Sequence, residues 1–296
     1  MIASEVFHVR RIPLIAVPVF LLTVCMAGST HSRFTDSHQI PDNIFTTAGL
    51  FPLQTIPLSS LDAGDMVMDS TWEWHHRPGA DYAGTGTIKP IVWIVAGKDH
   101  YRELYGDYAY MDYGGSYYQG VAVMLVAQEV IAKRPFDSSS NNWMESNRIR
   151  PWLKSKLYDD TFPDSFKMAV LQTNIPNKLF DSSHSHITVD RVFVLSETEL
   201  GSTSGLEIGT VVEYFQDATD GIRKAKLGET EVNYWTRSPC EESTNLVRYV
   251  KQDGSISQLA ASTNTCGYRP VLSLDGDIRV KSDPVDGVYE IAWIQP

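Results

Sequence analysis

Positive charge is scarce in this chain: 25 Lys and Arg stand against 36 Asp and Glu, a formal net charge of −11 with histidine neutral. A surface that neutralises phosphates needs clustered basic side chains, so nucleic acid is not an expected partner. Cysteine is scarcer still, with Cys25, Cys240 and Cys266 the only three. Neither Cys240 nor Cys266 has a second ligand at the close spacing that zinc motifs use, so no metal or other cofactor is expected. Glycine-rich phosphate loops, internal repeats and long low-complexity tracts are missing as well, which argues against P-loop nucleotide chemistry and solenoid folds. Charge is absent over one long stretch, Ile12 to Ala27.

Arg10 and Arg11 precede that stretch and Ala27, Gly28 and Ser29 close it, the basic, apolar, small-residue order of a secretory signal. Pro13 and Pro18 would interrupt a buried core helix, and the run falls short of the roughly 20 apolar residues that span a bilayer comfortably. Residues 1–28 are therefore read as a signal peptide or, if uncleaved, an anchor, and the protein as secreted or held at the cell envelope. Membrane contact is expected only through an uncleaved segment. Leu22-Thr23-Val24-Cys25 departs from a bacterial lipoprotein box at Val24, where a small residue belongs. Cleavage removes Cys25, and the even pair left in an oxidising compartment, Cys240 and Cys266, is expected to form a disulfide. Closing that loop of about 27 residues would add roughly 3.5 kcal/mol on the chain-entropy model. Two buried free thiols are the alternative.

Residues 29–57 are polar and interrupted by Pro41, Pro52 and Pro57, the composition of a flexible linker. The globular domain is placed at 58–275, with 276–296 as a terminal β-hairpin extension. Ile91 to Val95 and Val121 to Ile131 read as buried strands. Asn147 is placed to cap a helix that turns Ile149, Trp152, Leu153 and Leu157 to one face, with Pro151 tolerated in its first turn. A second helix is expected from Pro163, with Phe166, Val170 and Leu171 inward. Val192 to Leu195 reads as a strand, and Ser196 with Glu199 as the capping box of a short helix. The last third is strand-rich: Val232 to Arg237, a hairpin turning at Asp253-Gly254, and Tyr268 to Leu274.

Four ordered segments carry a resemblance: Trp143 to Leu153, Asp190 to Ser196, Tyr234 to Pro239 and Gly267 to Val271. Together with Gly64-Asp65 and Pro90 to Trp93 upstream, they resemble the signature segments of a bacterial domain family of unknown function, number 6273, over roughly residues 58–275. No activity comes with that family. The Trp-Arg-Ser segment, the hairpin and the Gly-x-Arg-Pro-Val strand are similar in turn to the end of the C-type-lectin-like fold of sulfatase-modifying enzymes and variable receptor proteins. That second resemblance implies an α+β fold, a twisted antiparallel sheet with two or three helices, and loops over one face that carry the ligand. Trp143, Arg148, Trp152, Trp235, Arg237 and Arg269 are then structural residues, the guanidinium groups tying loop carbonyls or carboxylates to the sheet. The calcium-binding triads of sugar-binding lectins and the close cysteine pair of the oxidases both fail to occur in this chain.

Between Tyr101 and Gly120 the chain carries seven tyrosines among four glycines. Tyrosine offers a rigid ring and a hydroxyl, and such loops are favoured at recognition surfaces, whereas rings packed on the core are the plainer outcome. Tyr108, Tyr110, Tyr113, Tyr117 and Tyr118, with Glu241, Glu242 and Asn264 on later loops, are the candidate ligand-binding residues. Gly201 to Gly205 has a threonine where a nucleophile elbow needs serine. His184 with His186, and His75 with His76, lack a third ligand fixed by spacing. The function expected is an exported binding module for a glycan, cell-wall component or protein at the cell surface, without catalytic residues. The alternatives are a cell-envelope polymer hydrolase using acids such as Asp107, Asp112 or Glu241 as a pair across a groove, and a structural surface protein.

Overall fold

The computed structural model describes residues 39–40, 43–44, 54–76, 87–139, 142–178, 185–202, 209–217, 219–240 and 243–293. The segment read as a signal, most of the linker, His184 and the Glu241-Glu242 pair lie outside them. The chain divides into two units, Met1–Pro52 and Leu53–Pro296. In the first, Gln39–Ile40 pairs antiparallel with Asn43–Ile44. The second holds two main sheets and every element labelled below.

The strands of those sheets are, in chain order, β1 (Met66–Met68), β2 (Val92–Lys98), β3 (Tyr110–Met111), β4 (Ala122–Ala127), β5 (Ala132–Lys133), β6 (Val170–Lys178), β7 (Ser185–Asp190), β8 (Val192–Phe193), β9 (Tyr234–Pro239), β10 (Leu246–Val250), β11 (Ile256–Ala260), β12 (Gly267–Tyr268), β13 (Val271–Asp275) and β14 (Val288–Glu290). A nine-stranded sheet runs β7-β6-β13-β4-β2-β1-β14, with β8 added to β13 and β3 to β6; a five-stranded sheet runs β5-β12-β9-β10-β11. β4 is buried at every position, which is why Ala122 to Ala127 reads as an unbroken apolar run instead of an alternating one. Helices are short: α1 (Arg102–Tyr105), α2 (Ile149–Trp152), α3 (Asp164–Ala169) and α4 (Asp220–Arg223), with α2 continuing as a π-helical stretch over Leu153–Asp159.

Among the described residues, strand accounts for 37% and helix for 17%. That overturns the α+β, C-type-lectin-like expectation: the fold is predominantly β, and the helices are brief connections laid on sheets. The local expectations fare differently. Ile149, Leu153 and Leu157 are fully buried on one face, and Phe166 turns inward from α3 against Trp72 and Trp93. Val170 and Leu171 are buried too, but as the opening of β6, because α3 ends at Ala169. Asn147 does not cap α2. Its side-chain amide donates to the Ser138 hydroxyl, and the Ile149 amide donates instead to Ser146 Oγ at 3.2 Å.

One expected strand divides in two. Tyr268 belongs to the five-stranded sheet and Val271 to the nine-stranded one, since Pro270 between them has no N–H for a ladder. The expected terminal hairpin is likewise shared out. Arg279–Lys281 pairs with Thr55–Pro57, the last residues of the expected linker, and β14 lies parallel to β1.

Candidate binding surface

The tyrosine loop is built from its base upward. Arg102 donates from Nε to Asp99 Oδ1 at 3.1 Å and from Nη2 to the Gly120 carbonyl at 2.7 Å, which joins the two ends of the loop. Its guanidinium lies 5.6 Å over the Tyr110 ring. Tyr101 and Tyr110 are buried, the Tyr101 amide donating to Tyr110 Oη at 3.0 Å. Tyr118 is half-buried and donates its hydroxyl to Asp275 Oδ1 at 2.6 Å. Burial and then that hydrogen bond raise the Tyr118 phenol well above its ordinary range. Tyr110 and Tyr118, two of the five candidate tyrosines, therefore anchor the loop.

The other three face solvent, with Tyr108 62%, Tyr113 56% and Tyr117 53% exposed. They are ordered by the backbone beneath them. Asp112 accepts the Ser116 amide at 2.8 Å and its own amide donates to the Ser116 carbonyl at 2.8 Å, a tight turn whose Gly115 has φ +85°. Tyr117 bridges to Met111, and β3 pairs with β6 at Gln172 and Thr173. Asn174 of β6 donates its amide N–H to the Ala109 carbonyl and its side-chain N–H to the Tyr108 carbonyl. The rings of Tyr108 and Tyr117 meet edge to face at 4.8 Å, and the Arg191 guanidinium stands 5.3 Å over Tyr113. Next along the sheet, Val189 pairs with Asn174 and Ile187 with Pro176, and both aliphatic side chains are about half exposed. Sequence reasoning passed over Arg191, Ile187 and Val189; along β7 the apolar Ile187 and Val189 face out while the polar Thr188 between them is buried.

The remaining candidates lie elsewhere. Asn264 is exposed between β11 and β12 on the five-stranded sheet, so the structure does not place it on the tyrosine-bearing sheet. Asp107 is exposed beside Arg102 at 3.6 Å, and Asp112 is committed to its own turn. His186 is exposed on β7, and the side chains of His75 and His76 lie outside the described residues.

Beneath this surface sits a buried ion pair. Arg237 meets Glu199 with two nitrogens, one of them Nη2 to Oε1 at 2.7 Å, and also donates to the Val194 carbonyl at 3.1 Å. Tyr101 donates to Glu199 Oε1 at 2.7 Å and the Ser196 amide to Oε2 at 2.9 Å, and the Glu199 amide returns a bond to Ser196 Oγ at 3.2 Å. The reciprocal bonds of the expected capping box are thus present, on a turn instead of a helix. Burial pushes the Glu199 carboxyl up, but the Arg237 charge and hydrogen bonds outweigh it and hold it well below the carboxylate range. Arg269 donates to the Ala127 carbonyl at 2.8 Å and to Tyr234 Oη at 3.2 Å. Trp143 donates to Thr188 Oγ1 at 3.3 Å, Trp235 to the Arg134 carbonyl at 2.9 Å, and Trp152 packs on Tyr268 at 5.2 Å. Arg148 is exposed; Arg150 instead ties Asp190 at 2.8 Å and covers Trp143.

Cys240 and Cys266 are both buried free thiols, so the expected disulfide is absent. β9 runs parallel to β12 with Tyr234 opposite Gly267, which sets Cys266 level with Asn233. Cys240 follows the far end of β9, on the order of 20 Å away at ~3.3 Å per strand residue, whereas a disulfide needs Cα atoms within about 7 Å. The Cys240 thiol donates to Gln258 Oε1 at 2.7 Å, and burial pushes the Cys266 thiol up to about 12.

A family model described as a domain of unknown function (DUF6273) matches residues 121–276. The span takes in β4 to β13 and the Arg237–Glu199 pair; the tyrosine loop and the Gly64-Asp65 and Pro90 to Trp93 segments precede it. No curated protein and no solved structure matches the chain.

Proposed function

The chain belongs to the DUF6273 family, a family described without an activity, and we propose that it is an exported binding module that engages a glycan or cell-wall component through Tyr108, Tyr113 and Tyr117. The observation that carries this reading is the exposure of three rings on a hydrogen-bonded frame. Large apolar groups left in water favour association, and tyrosine combines a stacking face with a hydroxyl at low entropic cost. Arg191, held over Tyr113, adds a fixed donor at the edge of the same surface. Glycans present apolar ring faces rimmed by hydroxyls, and exposed phenols suit both parts.

The test is a glycan array together with binding to purified cell-wall polymer, using the wild-type chain and the Tyr108→Ala/Tyr117→Ala double variant. The expected result is a bound class whose affinity falls about tenfold or more in the variant, from the loss of roughly 0.5–1.5 kcal/mol per aromatic contact. Binding that the substitutions leave unchanged removes the surface from consideration. A blank on both, with capture of a defined surface protein that the same variant abolishes, moves the ligand to the protein class.

A further inference from the structure

Strand β7 ends the nine-stranded sheet, and several of the devices that normally close an edge are missing from it. It is six residues long and pairs with β6 at every one of them, from Ser185 opposite Lys178 to Asp190 opposite Thr173, with no bulge. Its sequence, Ser-His-Ile-Thr-Val-Asp, contains no proline and no lysine. Edge strands are blunted by such residues because an open row of N–H and C=O groups templates further pairing. Ile187 is 54% and Val189 47% exposed, so β7 presents two aliphatic side chains along with its free edge. Among the described residues no backbone hydrogen bond reaches β7 from the side away from β6.

The sequence of β7 is self-complementary. Two antiparallel copies centred on Thr188 place Ile187 opposite Val189 of the other copy, His186 opposite its Asp190, and Thr188 opposite Thr188. Two of these pairs are of a kind that stabilises a sheet, aliphatic with aliphatic and imidazole with carboxylate, while the Thr188 hydroxyls stay bonded to Trp143 and Asn177 within each copy. Asp190 adds a charge to that pairing. Its Oδ1 accepts from Arg150 at 2.8 Å, whereas Oδ2 is buried and has no hydrogen-bond partner. That oxygen is shielded within its own copy, so across the seam Asp190 contributes its negative charge opposite the exposed His186.

We infer that a second copy of this chain pairs with β7 edge to edge, joining two nine-stranded sheets across a twofold axis at Thr188. An isologous contact of this kind closes on itself, so assembly stops at the dimer. The short strand makes the contact small, in the range of weak and concentration-dependent association. This inference stands apart from ligand binding by the tyrosines, and either one can fail alone.

Sedimentation of the full chain over about a hundredfold range of concentration tests it. A reversible monomer–dimer equilibrium is expected. Ile187→Lys sets a charge against Val189 of the other copy twice per dimer and is expected to weaken association at least tenfold, with the circular dichroism and melting of the monomer unchanged because the side chain is exposed. The Ile187→Cys/Val189→Cys variant, oxidised at low concentration, is expected to link residue 187 of one copy to 189 of the other. A monomer at every concentration, a dimer indifferent to Ile187→Lys, or cross-links joining 187 to 187 overturns the proposed pairing.

Discussion

A charged pair that ties the two sheets together lies out of water: Arg237 of β9 meets Glu199 and reaches the Pro176 carbonyl of β6. Glu199 and Arg237 are both fully buried, so the pair is stabilising only while it is intact. Arg237→Met leaves the carboxylate without its partner and is expected to cost about 3–5 kcal/mol in urea denaturation, with part of the loss recovered when Glu199→Leu is added. The pH dependence comes from the depressed Glu199 carboxyl. A group with a folded pKa below its unfolded value contributes stability that is fully present above the ordinary carboxylate range and lost as pH falls through it and toward the folded value. Wild type should therefore lose stability on acidification below about pH 5, and Glu199→Leu in the Arg237→Met background should lose less. The two thiols give a simpler test at the same scale. Alkylation of unfolded protein without reductant is expected to label both Cys240 and Cys266; a disulfide-linked pair of peptides would contradict their separation along β9.

Elements set by neighbours in sequence were legible from the sequence, and elements set by distant partners were not. Pro151 in the first turn of α2, Phe166 facing inward from α3 and the turn at Asp253-Gly254 each rest on a few adjacent residues. The β10–β11 hairpin shows where such local reading stops. Gly254 has φ +89°, as the turn demands, but a Cβ there would also lie 1.7 Å from the Asp220 carbonyl oxygen, because the hairpin tip docks on α4. Gly254→Ala is expected to destabilise by roughly 1–3 kcal/mol from backbone strain alone, and by more once the docking is forced apart; a melting shift no larger than that of a surface substitution would refute the contact. The tyrosine loop is legible in the same partial sense. Its composition sets it apart from the rest of the chain, but it has no period, so nothing local separates buried Tyr101 and Tyr110 from exposed Tyr108, Tyr113 and Tyr117. That division is imposed by Arg102 at the loop base and by Asn174 from a strand more than sixty residues on.

For the molecule as a whole, the sequence pattern located several strands, but neither β1 nor β6, whose first residues were expected on a helix, and not how the strands divide into sheets. Pro270 sends one expected strand into two sheets, and the α+β expectation failed because short helical segments with good amphipathic faces turned out to cover sheets that carry most of the core. The C-terminal segment shows the same dependence on long-range pairing. Taken alone, residues 276–296 look like a hairpin. In the fold, β14 adds to β1, Val280 and Ile291 are buried and bridged to each other, and Trp293 donates to Asp69 Oδ2 at 2.8 Å across 224 positions of sequence. Trp293 also meets the Phe166 ring at 6.2 Å, which connects the last strand to the helix that packs on Trp72 and Trp93. A chain ending at Asp283 should therefore behave as a core mutant. Losing the buried Ile291 side chain alone costs about 1.5–3 kcal/mol in apolar transfer, and Trp293 with the β14 ladder adds to it. The truncated chain is expected to melt well below the full one and to be cleaved faster by protease near β1. Unchanged melting and protection would mean that the segment is the dispensable extension its sequence resembles.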